Sequence, residues 1–332
     1  MIQNRIQKEY WFIVISGILS GIIVFGGEAF KQIGFSLLET SILFFLPGLF
    51  FLIPFLRGKK SQIFNWSNFK LLFAWALFGS LTVVLQFGAI FAGTAVAMVL
   101  LLLYTQPIWT VAISRVFYKE PVTTRDILLL LPAVLGVLIL INPWSAGPVG
   151  NPVGAILALC GGLALSGWIT VGNHVGKSKI DPYVSKFMET VIEIVLITTI
   201  LLVTSFLSGR SDIVEFRLNW PILIWIILTL FSLVTQVINH ILYLVGSKKV
   251  PAKDAGIIML LEPVSGAILA ALFLSQVISL NIFIGGALIL LANYFVINKN
   301  AIQGKALPAG RQVELHFNSC PKGLFCFAKI KL

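Results

Sequence analysis

Apolar residues run along this chain in ten long stretches, at about 10–29, 35–56, 69–91, 94–117, 126–142, 151–173, 183–207, 219–245, 252–275 and 279–297. Short polar or basic segments separate them. A helix rises about 1.5 Å per residue, so a stretch of roughly 20 residues spans a bilayer core. In lipid each backbone polar group must find its partner inside its own segment, which excludes isolated strands. The pattern therefore predicts an all-α integral membrane protein with ten transmembrane helices. Arg5 and Lys8 ahead of the first stretch imitate a signal peptide, but no small-x-small cleavage site follows. That helix is predicted to be retained.

Composition narrows the class. Of 332 residues, 58% are hydrophobic and 11% charged, against about 25% charged in soluble domains. The chain cannot supply the charged shell of a soluble enzyme, and its partner is the lipid bilayer. The net charge of +11 would point to nucleic acid in a soluble protein. Here no basic stripe with interleaved aromatics occurs, and nucleic acid is not an expected partner. Basic residues instead follow topology. With a cytoplasmic N-terminus and ten spans, 21 Lys and Arg fall on inner segments, Lys186 among them, and only Lys31, Arg210 and Arg217 on outer ones. Such a bias places the basic loops on the cytoplasmic side, and with them both termini. Cys160, Cys320 and Cys326 form no ligand set or disulfide framework. No metal or cofactor is expected.

The chain divides into two halves. A Pro/Gly-rich break, NPWSAGPVGN, separates the fifth and sixth stretches. Each half ends on a long apolar stretch with a central proline, a tight polar turn and a last span, and Pro107 and Pro263 lie 156 residues apart. Five spans per half is an odd number, so the second half enters from the opposite face as an inverted repeat. The expected units are 1–142 and 153–298, joined by 143–152, with 299–332 a poorly ordered cytoplasmic tail.

Residues 94–140 carry a mid-span Pro107, Glu120 thirteen positions later and Gly136 in the following span. This layout resembles the EamA-type transporters of the drug/metabolite transporter superfamily. The second copy, about 251–297, keeps Pro263 but has Gln276 in place of the glutamate and Ala292 in place of Gly136, with Gly285 and Gly286 early in its last span. The resemblance covers about 10–298. It implies a ten-helix, multi-pass permease or exporter of small metabolites in the cell (plasma or inner) membrane.

Polar groups inside the spans are the candidate site, because ionisable residues in lipid are costly and generally face a cavity or a partner. Pro107 and Pro263 remove a backbone donor and clash one turn back, so both are expected to break their helices. Broken helices line water-filled cavities in transporters. Gln106 and Glu262 directly precede the two prolines and are expected to face one another at matching depth. Tyr104, Trp109 and Trp168 are deep aromatics that could stack on a substrate, and Gln86 and Gln236 complete the candidate substrate-binding set. Glu189 and Glu193 share a helix face at i,i+4 spacing. Glu193 and Glu262, near mid-span, are the candidates for carrying a proton. Gln236, Asn239 and His240 form a polar stripe, with hydrogen bonding between helices the plainer role for Asn239. Gly17 and Gly21 in the first span, and Gly162 and Ser166 in the sixth, have the spacing that lets helix backbones approach.

The expected function is secondary transport of a small organic metabolite, amino acid or drug by alternating access, with protons as the candidate coupling ion. No Walker sequence supplies an ATP engine. A passive channel is the alternative, and an intramembrane enzyme a weaker one, since no HExxH pair or catalytic cluster is present. Either a monomer or a homodimer is compatible with this reading.

Overall fold

The computed structural model describes residues 8–92, 94, 96–117, 119, 121–142, 144, 151–273 and 280–303. Glu120, Gln276, most of the expected connecting loop and nearly all of the expected tail lie outside these residues. Among the described residues every regular element is helical.

The first half contains α1 (Lys8–Ile33), α2 (Leu37–Leu43), α3 (Leu46–Leu52), the short α4 (Lys60–Ile63), α5 (Trp66–Phe91), α6 (Val96–Leu103), α7 (Gln106–Phe117) and α8 (Thr124–Ile141). The second contains α9 (Pro152–Lys177), α10 (Pro182–Ser208), α11 (Ile222–Ser232), α12 (Asn239–Ser247), α13 (Ala252–Ile258), α14 (Leu261–Phe273) and α15 (Leu280–Gln303). A π-helical turn, Leu233–Ile238, joins α11 to α12. Among the described residues seven segments are long and apolar enough to cross a membrane: Leu37–Leu56, Trp66–Ala89, Met98–Phe117, Pro152–Lys177, Pro182–Ser208, Ile222–Ser247 and Leu280–Ile297.

Local chemistry sets the helix ends. Thr123 and Asp126 form a reciprocal capping box at the start of α8, and Asn142 ends it in the left-handed conformation. Asn151 and Asp181 cap α9 and α10, each followed by a proline in the first turn, where its missing N–H costs nothing.

Two spans are interrupted. Between α6 and α7 the ladder tightens, with Thr105 N–H bonded to Leu102 O at 3.3 Å. Between α13 and α14 the same happens, with Leu260 N–H on Ile257 O at 3.1 Å and Glu262 N–H on Met259 O at 3.0 Å. Pro107 and Pro263 are early residues of the segments that follow these breaks.

Helices from one half pack on those of the other. The first helix of the first half, α1, lies against α12 and α14; α9, the first of the second half, lies against α5, α6 and α7. Glycine permits both approaches. A Cβ on Gly17 would sit 3.0 Å from Ile258 O, beside the second break. One on Gly162 would sit 2.8 Å from both Leu102 O and Leu103 O, beside the first. α8 and α15 meet through Gly136 and Gly285, whose backbones touch reciprocally.

One expectation about charge is corrected. Lys186, counted above as an inner-loop cation, is 0% exposed and lies inside the helix bundle. It falls on the fifth position of α10, about 6 Å in from the helix start, and its ammonium turns inward to Glu189 instead of snorkelling to the interface.

Candidate functional site

Lys186 is the hub of a buried polar cluster. Its Nζ donates to Glu189 Oε2 at 3.0 Å, one turn along α10, and to Gln236 Oε1 at 3.4 Å. Glu193 Oε2 lies 3.8 Å away on the next turn. Trp168 of α9 donates from Nε1 to Glu189 Oε1 at 2.8 Å. His240 of α12 brings Nδ1 to 3.9 Å from Glu189 Oε2. The Lys186 ammonium also sits 5.5 Å from the centre of the Phe45 ring of the first half, a cation–π contact strengthened by exclusion of water.

The surroundings explain how these groups are held. Trp168 stacks on Trp75 and on Tyr243, with ring centres 5.7 and 5.1 Å apart. Tyr243 is anchored by donating to Ile169 O at 2.5 Å. Gly79 of α5 makes room for Glu193: Oε1 of that carboxylate occupies the space a Cβ would need. Glu193 Oε2 and His240 Nδ1 are buried without a hydrogen-bond partner. The π-helical turn carries Gln236 itself. Its extra residue rotates the helix so that Gln236 and His240 look toward Lys186 while Asn239 looks toward α1. There Asn239 Oδ1 accepts from Ser16 Oγ at 2.5 Å and its Nδ2 donates to Ser20 Oγ at 3.0 Å. Such turns recur at functional sites.

A second group of polar residues surrounds the two helix breaks. Gln106 is buried and donates from Nε2 to Gly256 O of α13 at 2.6 Å, while its Oε1 accepts from Thr110 Oγ1 at 2.9 Å. Thr110 in turn lies 3.0 Å from Ser166 Oγ of α9. Tyr104, at the first break, is 2% exposed, and its hydroxyl lies next to the Glu262 carboxylate at the second without closing a hydrogen bond. The two breaks thus meet crosswise, through Gln106 with Gly256 and Tyr104 with Glu262. The Gln106 side chain is engaged by Gly256 and Thr110.

Of the residues singled out from sequence, the structure brings Trp168, Gln236 and Glu193 together around Lys186, and Tyr104 together with Glu262. Trp109 is half-buried and donates from Nε1 to Thr105 Oγ1 at 3.2 Å, in the break just ahead of its helix. Gln86 is half-buried on α5, its backbone N 3.7 Å from where a Cβ on Gly161 would sit. Lys186, Gly79 and Trp75 went unnoticed in the sequence. The available signal was the i,i+3 spacing of Lys186 and Glu189.

The two ends of the bundle are tied differently. At one end Arg217, in the loop before α11, donates to the buried Glu39 of α2 from Nη2 at 3.0 Å, Nε at 3.1 Å and backbone N at 2.7 Å. Arg217 also reaches Gly34 O and lies over Trp220, which stacks on Phe35. Phe30, Phe44 and Phe231 pack beneath this clamp. At the other end Glu9 pairs with Lys249 at 2.7 Å, Asp126 with Lys253 at 2.8 Å and Asp181 with Lys59 at 2.8 Å.

Comparison with known proteins adds independent information. The model of the EamA-like transporter family matches residues 7–142 and again 152–298. A protein of Clostridium kluyveri named as an uncharacterized transporter is 23% identical over 303 residues, covering 89% of this chain and 94% of its own. One from Archaeoglobus fulgidus, similarly named, is 25% identical over 278 residues, covering 84% and 92%. A solved crystal structure shares the fold with a TM-score of 0.66 at 18% identity, over 90% of this chain and 99% of its own.

Proposed function

The chain belongs to the EamA-like transporter family, and from that premise we propose that it is a proton-coupled secondary transporter of a small organic metabolite, amino acid or drug, working by alternating access. The reading rests above all on the Lys186–Glu189–Glu193 cluster. One ammonium faces two carboxylates inside a membrane protein. With all three charged, the group carries one uncompensated negative charge, which is expensive away from water. A single proton removes it. Glu193 is the natural acceptor, since Glu189 already receives bonds from Lys186 and Trp168 whereas Glu193 Oε2 receives none. Loading and unloading that proton changes the charge holding α10 against α5, α9 and α12, and so biases a rearrangement of the bundle.

The substrate site in this reading lies at the breaks, around Tyr104 and Glu262 with Gln106 behind them. Interrupted helices give short segments that pivot at little cost, and their freed backbone groups line a cavity. The reciprocal packing of α1 and α9 supports two inverted five-helix repeats, 1–142 and 153–298, ten spans in all. The basic bias, less Lys186, still favours cytoplasmic termini in the cell membrane. A clamp at each end of the bundle suits gates that open alternately.

The test uses proteoliposomes and a ligand selected from a metabolite library by thermal stabilisation. Glu193→Gln should fold, exchange labelled ligand across the membrane and fail to accumulate it under an imposed proton gradient. Gradient-driven accumulation equal to that of the wild type would remove Glu193 from the coupling step.

A further inference from the structure

Most carboxylates among the described residues are compensated within the chain. Glu9, Glu39, Asp126, Asp181, Glu189 and Glu193 each lie against a Lys or Arg of the same chain. Glu262 does not: among the described residues no Lys, Arg or His pairs with it. Its position makes this costly. It is the eleventh residue of the interrupted segment 252–273, about 15 Å from either end, where water at the membrane surface cannot reach it. Yet it is only partly covered, although α14 packs against α1 and α15. The Tyr104 hydroxyl, itself buried and without a hydrogen-bond partner, points to the same place from the first break. Two polar groups from the two halves thus converge on one spot with bonding capacity to spare.

We propose that the missing cation belongs to the substrate: the Tyr104–Glu262 site takes small organic amines, with the ammonium on the Glu262 carboxylate and the Tyr104 oxygen as a second acceptor. An anionic substrate would meet a carboxylate with no counter-ion there, and the cluster around Lys186 is already occupied by its own ammonium. The inference rests on the carrier reading for its biological sense, but it concerns binding and needs no sealed compartment to be examined.

The experiment uses the purified full chain in detergent. A set of primary and quaternary amines, from methylamine to 2-phenylethylamine and tetraethylammonium, is titrated by calorimetry and by thermal shift against carboxylates of matching carbon frame. Members of the amine set should bind and stabilise the protein while the carboxylates do neither. Glu262→Gln should weaken amine binding about tenfold or more, with Tyr104→Phe weakening it less. The wild type supplies a check that needs no variant: a bound amine should shield Glu262 from a hydrophobic carbodiimide, read by peptide mass spectrometry. Absence of binding by every amine, equal binding of the carboxylates, or unaltered carbodiimide labelling of Glu262 in the presence of a bound amine would overturn the assignment. Amine binding without transport in vesicles would end the carrier reading and leave this one standing. Transport of a ligand that ignores Glu262 would do the reverse.

Discussion

Lys186 has no route to water, so its stability depends on its neighbours. Removing one partner of a buried ion pair costs about 3–5 kcal/mol, because the other charge is stranded. Lys186→Met should therefore destabilise the protein by roughly that amount, and adding Glu189→Gln to it should restore most of the loss. Melting temperatures in detergent decide it; equal destabilisation by the single and double variants would show that Lys186 acts through packing alone. Much of this site was readable in the chain. The i,i+4 spacing of Glu189 and Glu193 marks a shared face, and that face does turn inward. What could not be read was the reach of Lys186. A lysine five residues into a helix ordinarily extends its stem toward the interface, and a count of basic residues treats it so. Only the tertiary placement of Phe45, Gln236 and Glu193 shows that it is retained. Gly79 was equally hidden, since nothing in its own sequence neighbourhood announces a carboxylate across the helix contact.

At the level of helices, glycine fixes the contacts and sequence breaks fix the bends. Gly136 and Gly285 bring α8 and α15 into backbone contact, and an added methyl on Gly136 would lie 2.7 Å from Gly285 O. Gly136→Ala should cost about 1–3 kcal/mol through overpacking. Gly88→Ala, whose methyl would meet nothing nearer than 3.7 Å, should be neutral or stabilising by up to about 1 kcal/mol, as a helical alanine is favoured over glycine. Similar melting shifts for the two would contradict the packing account. The paired glycines of α1 and the small residues of α9 are visible as a spacing, but their partners are not, because the spacing carries no information about which helix approaches. The prolines at 107 and 263 could be seen as disruptive from their chemistry. The π-helical turn at Leu233–Ile238 could not, as no proline or glycine lies within it. It arises from the fit of α11 and α12 to neighbours on two sides, with Gln236 and Asn239 turned toward different partners.

Across the whole molecule, the Glu39–Arg217 clamp and the aromatic packing below it close one end. Arg217 is 42% exposed, so water screens its charge, and the clamp holds through several bonds to the buried Glu39 at once. Arg217→Gln should raise the rate at which a soluble maleimide reaches a cysteine placed at Leu228, now 0% exposed, by about tenfold. An unchanged rate would mean that the aromatic contacts alone keep that end shut. The ten-stretch pattern anticipates the helical architecture, since hydropathy is set by solvent. It does not anticipate which loops are fastened together, since that depends on two distant segments meeting. The exchange of first helices between halves has a consequence for biosynthesis. When residues 1–142 have left the ribosome, α1 has no α12 or α14 to lie against, and its Gly17 face must wait in lipid beside the translocation machinery. The nascent chain matures only when its last helices arrive, so a message truncated between the halves should yield a fragment that membrane proteases clear instead of a smaller working carrier.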